Sequence, residues 1–229
     1  MLIAILMIGY LLGLLIQVIG GILIKETSYE SVKSICIDVK SQCYDRFKKT
    51  DGLNIFPFIL CLMTLILYLK LGLSLELFKD LMFMFMMGLI AYIDFKTTFV
   101  YRVTTLLTAL IGFLFIALES FCLGEFSFDS ILGALIGFII IALIVFITHG
   151  MGEGDIEIAA LCGLFLGVKG VLLTLFLGIV LGGVGGTILL MKRSKGLKDE
   201  MAFGPYLVGG AMISMLWGNQ IIEMYLKLF

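Results

Sequence analysis

Asp94 and Asp155 are the residues whose type and placement can do chemistry in this sequence. Each stands at the edge of an apolar run. Asp94 lies in Ala91-Tyr92-Ile93-Asp94-Phe95-Lys96, and Asp155 ends the turn Gly150-Met151-Gly152-Glu153-Gly154-Asp155. A carboxylate in such a position is costly unless it meets a partner, a substrate or a water-filled cavity. Two carboxyl groups that approach closely cannot both ionise, so one keeps a proton near neutral pH. The ionised member then takes a proton from water while the protonated member polarises a carbonyl. That division of labour hydrolyses a peptide bond with neither a metal nor a nucleophilic serine. The plainer alternative is capping. Asp155 begins an apolar segment and suits a helix N-terminus. Asp94 ends one, where negative charge is disfavoured.

Whether the two acids can meet depends on the elements that carry them. Of the 229 residues, 61% are apolar and 14% charged, and the mean hydropathy is +1.17. Soluble domains are about 45–50% apolar and about 25% charged. The chain therefore lacks the polar surface of a water-soluble globule, and the same figures exclude intrinsic disorder. With 16 basic and 17 acidic residues it has no basic footprint, so nucleic acid is not an expected partner. What remains is an all-α, polytopic membrane bundle in contact with lipid. A bilayer core of about 30 Å takes roughly 20 apolar residues per helix. Runs of that kind occupy 1–24, 56–73, 77–93, 104–123, 131–148, 170–191 and 203–226. A shorter run, 156–167, is too brief for a comfortable crossing and reads as a partial or tilted span, which brings the expectation to about eight. Residues 1–24 lack the basic start and small-residue cleavage site of a secretory signal and read as a retained helix. The expected organisation is a first transmembrane helix over 1–24, a short cytoplasmic loop over 25–52 and a membrane core over 53–229.

Loop charge gives the orientation. With the 25–52 loop inside, the inside connections hold 12 Lys and Arg residues and the opposite face holds 4. Basic residues accumulate on the cytoplasmic side, so both termini are expected outside a plasma (inner) membrane. Two crossings separate Asp94 from Asp155. An even number returns the chain to its starting face, so both acids are expected on the cytoplasmic side at similar depth.

Here the residues become recognisable. Gly152-Glu153-Gly154-Asp155 followed by Ile156-Glu157-Ile158-Ala159-Ala160-Leu161-Cys162-Gly163 and Gly167 resembles the GxGD segment of the type IV prepilin peptidases, a family of intramembrane aspartyl proteases. Asp94-Phe95-Lys96 with Arg102 resembles the family's other catalytic Asp and the short basic loop after it. Phe203-Gly204-Pro205-Tyr206 resembles the segment that opens the last helix. The three segments follow the family's order. The resemblance implies cleavage of a basic leader from a prepilin or pseudopilin, on the cytoplasmic side, just before the substrate's apolar helix. It makes Asp94 and Asp155 the catalytic pair. Gly152 and Gly154 then allow close approach to Asp155, since glycine has no Cβ. Glu153 and Glu157 are expected to attract the leader, and Lys96, Arg102, Phe203, Gly204 and Pro205 to support the site.

The chain also departs from that pattern. Larger members carry two CxxC pairs in the first loop and methylate the product with S-adenosylmethionine. Here only Cys36 and Cys43 stand in that loop, separated by six residues. No zinc or other metal site is expected, and peptidase activity alone is expected, with S-adenosylmethionine a cofactor only if methylation is retained. Glu157 replaces a usual Lys, and Phe99-Val100-Tyr101-Arg102 replaces an Ile-Pro-Asn-like stretch. His149, the single His, reads as a polar interface residue. The rival reading is a non-proteolytic protein, such as a proton-coupled transporter or a pilus assembly factor. A transporter predicts acids at the midplane and internally repeated halves, and no repeat is visible.

Overall fold

The computed structural model of the protein describes residues 2–26, 55–124, 127–148, 151–191 and 202–227. Cys36, Cys43, His149 and most of the expected 25–52 loop lie outside them. Among the described residues the chain is all-helical: α1 (Leu2–Glu26), α2 (Ile55–Leu71), α3 (Leu75–Thr97), α4 (Arg102–Leu123), α5 (Phe128–Thr148), α6 (Glu153–Met191) and α7 (Gly204–Leu226). α1, α4, α5 and α6 are each long and apolar enough to cross a membrane, and Pro57–Leu71 of α2 forms a shorter apolar helix. Side chains such as Phe113, Leu114, Phe138 and Ile139 point outward from α4 and α5. A contiguous apolar surface of this kind is a liability in water and ordinary in lipid.

The chain divides into two compact units, residues 1–81 and 82–229. In the first, α1 and α2 run antiparallel. A Cβ on Gly9 would meet Thr64 and the backbone of Cys61, and one on Gly13 would meet Pro57. The Tyr10 and Phe58 rings sit 5.6 Å apart between them. Small residues let helices approach closely where no hydrophobic gain separates protein from lipid contacts.

In the second unit α6 is the axis. Gly167 breaks it, with φ 69° and ψ −173°. That left-handed value is open to glycine and strained for other residues. The expected short run and the run after it are thus two helical halves that meet at this residue. Side-chain neighbours give their directions. The first half runs from Asp155 to Gly167, antiparallel to α5, with Gly163 against Gly133 and Ala159 against Gly137. At the hinge Asp129 of α5 accepts the N–H of Val168 at 3.3 Å and so caps the second half from outside the helix. The second half returns antiparallel to α7, with Ser214 donating to the Gly170 carbonyl at 2.9 Å and Gly178 against Leu207. α4 runs parallel to the first half, with Gly112 against Leu164 and Phe165. α3 runs antiparallel to it, since Phe83 meets Phe165 with ring centroids 5.0 Å apart. The end of α3 and the starts of α4, α6 and α7 therefore gather at one end of the bundle.

The α5–α6 crossing depends on two facing glycines. A Cβ on Gly163 would overlap the Gly133 carbonyl, and both partners are backbone. Gly163→Ala is expected to destabilise the protein by about 3 kcal/mol, the upper part of the usual overpacking range. Gly183 has nothing within 4 Å, so Gly183→Ala should raise stability slightly through helix propensity. Thermal unfolding in detergent would compare the two, and an unchanged melting temperature for Gly163→Ala would refute the crossing.

Candidate active site

Asp155 reaches the site through the start of α6. Gly152 is the residue before the helix, and Asp155 is the third residue within it. The Asp155 Oδ2 atom accepts the Gly152 N–H at 3.2 Å, and the Asp155 N–H donates to the Gly152 carbonyl at 3.1 Å. This is the reciprocal half of a capping box, in which the third helical side chain satisfies the N-cap amide. Gly154 is filled from across the bundle, because a Cβ there would lie 2.6 Å from Val100. The capping explanation thus holds for part of what Asp155 does.

For Asp94 it holds only through a backbone hydrogen bond from Gly204, the first residue of α7. Asp94 sits in the last turn of α3, where the macrodipole disfavours a carboxylate. It is 4% exposed, and its Oδ2 is buried with no hydrogen-bond partner. Gly204, the first residue of α7, presses on this carboxyl, and a Cβ on it would stand 2.5 Å from Oδ2. Pro205 follows in the first turn of α7, where a fixed φ and a missing N–H suit a helix start.

α3 ends in an unusual way. The N–H of Thr98 donates to the Asp94 carbonyl at 2.8 Å, and Thr98 adopts a φ of 56°. This is the αL helix stop, which normally uses glycine. α4 ends with the same bond made by a glycine, from the Gly124 N–H to the Ser120 carbonyl. A β-branched residue is strained there, and such strain persists only where its surroundings hold it.

Asp94 and Asp155 open onto one cavity of about 500 Å³ and lie within Coulombic reach of each other. Arg102, Gly152, Glu153, Gly154, Glu157 and Phe203 also line it. Glu157 is held from α4: Thr105 Oγ1 donates to its Oε2 at 2.5 Å, and Arg102 Nε lies 3.6 Å from its Oε1. Glu153 is exposed. Of the residues expected at the site, Gly204 touches Asp94 directly, while Lys96 and Pro205 stand outside the cavity lining. Thr98, Met151, Ala202 and the Glu157 partner Thr105 join the site without a sequence signal of their own. The α5–α6 register places Ile141 beside Asp155, seven residues before the end of α5. At 1.5 Å per residue, the carboxylates lie about 10 Å below that end.

Residues 81–187 match the family model described as the type IV leader peptidase family. That match covers a little under half of the chain. The matched segment contains Asp94, Asp155 and all the connections that place them. Over 166 residues the chain is 30% identical to the prepilin leader peptidase/N-methyltransferase of Bacillus subtilis (strain 168), which covers 70% of this chain and 64% of that protein. Proteins of the same name from Pseudomonas putida and Xanthomonas campestris are 40% identical over 80 residues and 33% over 79. Those matches cover 35% and 34% of this chain and 28% of each relative. The chain thus spans less than two thirds of the length of these relatives. No solved structure matches it. With its apolar helices and this family, the protein is an integral membrane protein.

Proposed function

We propose that the protein is an aspartyl endopeptidase of the plasma membrane that removes basic leaders from type IV prepilins or pseudopilins on the cytoplasmic side. The observation that carries this reading is that two buried carboxyl groups, Asp94 and Asp155, share one cavity. Burying two carboxyl groups within Coulombic reach of each other is costly, and a substrate carbonyl and an attacking water in the cavity would give them partners. In the proposed reaction one member of the pair takes a proton from water, and the hydroxide attacks the scissile carbonyl. The other member, protonated, donates a hydrogen bond to that carbonyl oxygen. Collapse of the tetrahedral intermediate passes a proton to the leaving amine. Hydrolysis itself needs no methyl donor.

The substrate's apolar helix would lie in the bilayer beside the bundle, with its leader in the cavity. A helical peptide bond is shielded by its own hydrogen bonds, so the substrate must unwind at the cut, which glycine there would ease. Glu153 stands at the cavity as an exposed acid for a basic leader residue. Transporter chemistry is less well supported, since Asp94 and Asp155 occupy helix ends rather than mid-helix positions.

Purified protein in lipid, incubated with a prepilin carrying a basic leader, should yield two fragments by mass spectrometry. Their masses should sum to the substrate plus one water, with the cut just before the apolar helix and no methyl group added. Intact substrate after prolonged incubation would refute the reading.

A further inference from the structure

The α3–α4 connection, residues 98–101, carries the cavity wall next to Asp94. Thr98 within it is held in a left-handed conformation that a β-branched residue does not choose unaided. The local bond from the Phe99 N–H to Thr97 Oγ1, at 3.3 Å, joins the connection only to the end of α3 and cannot tie it to another helix. Two ties reach α6 beside Asp155. Val100 fills the notch left by Gly154, the residue before Asp155. Beyond the connection, Thr105 and Arg102 in the first turn of α4 both grip Glu157, two residues after Asp155. The two ties bracket Asp155 in sequence, and on the other side they hold the connection at Val100 and just beyond its end.

We propose that Glu157 is a positioning residue: with Arg102 and Thr105 it latches the start of α4 to the start of α6, and so holds the strained Asp94-bearing turn at a fixed distance from Asp155. The catalytic part of this proposal rests on the peptidase reading; the latch itself does not. Glu157 acts through its two partners on α4 and touches no reacting atom. Its carboxylate is 35% exposed and the Arg102 side chain 79%, so the ion pair is solvent-screened and the latch needs the Thr105 bond beside it. The polarity of the pair is arbitrary for a latch and decisive for a leader-binding site, and that difference makes the proposal testable.

Four full-length variants in lipid separate the alternatives: Glu157→Lys, Thr105→Val, Glu157→Gln, and the reversed pair Glu157→Lys with Arg102→Glu. Two readouts are used, hydrogen exchange at residues 97–101 without substrate and steady-state cleavage of a prepilin. Glu157→Lys places two cations together, and should speed exchange at 97–101 and lower kcat. A misplacement of about 1 Å at a reacting group reduces rate by about 100-fold, which sets the expected loss. KM should stay within about twofold, as expected when binding contacts are kept and only transition-state geometry is lost. Thr105→Val and Glu157→Gln should give smaller changes of the same kind, and the reversed pair should recover both readouts. Exchange at 97–101 unchanged in Glu157→Lys would overturn the latch. A loss confined to KM, or a folded reversed pair that recovers neither readout, would overturn it too and make Glu157 a contact for the leader. If the wild-type protein cleaves nothing, the peptidase reading fails, and hydrogen exchange still decides the latch.

Discussion

Asp94→Asn and Asp155→Asn are each expected to slow prepilin cleavage by about 10²- to 10⁴-fold, the usual worth of a positioned general acid or base. Asparagine keeps the volume of the side chain and removes the exchangeable proton chemistry. At Asp155 the amide oxygen can still accept the Gly152 N–H, so the start of α6 should survive the substitution. At Asp94 the amide oxygen can still accept the Gly204 backbone N–H, so the start of α7 should survive as well. Loss of activity with an unchanged melting temperature therefore separates chemistry from folding. Asp129→Asn is the matched control, because that carboxylate caps the second half of α6 at the opposite end of the bundle. It should keep wild-type cleavage. Single-turnover assays in lipid would measure all three, and wild-type rates in either Asp94→Asn or Asp155→Asn would remove the dyad as the source of catalysis.

Much of this arrangement was legible before any coordinates. Apolar run lengths gave the helices. The two crossings between Asp94 and Asp155 gave a shared face, and the structure brings both acids to one cavity. The Gly152-Glu153-Gly154-Asp155 turn announced a helix start with an acid in its first turn, and the capping bond follows from that spacing. The run 156–167 was short for a crossing, and it ends at the Gly167 break. Other features had no such signal. Thr98 is an ordinary residue for a strand or loop, and nothing in its neighbours declares a left-handed helix stop. Glu157 looked like a free acid near Asp155. Its engagement depends on Arg102 and Thr105, more than 50 residues earlier, and on the parallel course of α4 and α6. Periodicity along one helix cannot report a register between two. The same holds for Gly204, whose motif marked it as part of the site without saying what it touches.

That contact makes Gly204→Ala the second substitution with a large expected effect. A methyl there would stand 2.5 Å from Asp94 Oδ2, 3.2 Å from its Cγ and 3.0 Å from Ile158 Cδ1. Real carbon atoms do not approach an oxygen so closely, and the α7 backbone is less free to move than the Asp94 side chain. The carboxyl must therefore turn away from its place in the cavity. Alanine is at least as good a helix former as glycine at the start of α7, so the expected loss is in the site rather than in the helix. Cleavage should fall about 100-fold through kcat, since the cavity walls that bind substrate stay in place while a reacting group is displaced. Gly209→Ala supplies the comparison on the same helix, because its new methyl would meet only Leu181 at an ordinary 3.7 Å. It should cleave like the parent protein. A Gly204→Ala enzyme with full kcat would mean that the Asp94 carboxyl does not work from the position the structure gives it, and that catalysis waits on a rearrangement of α7.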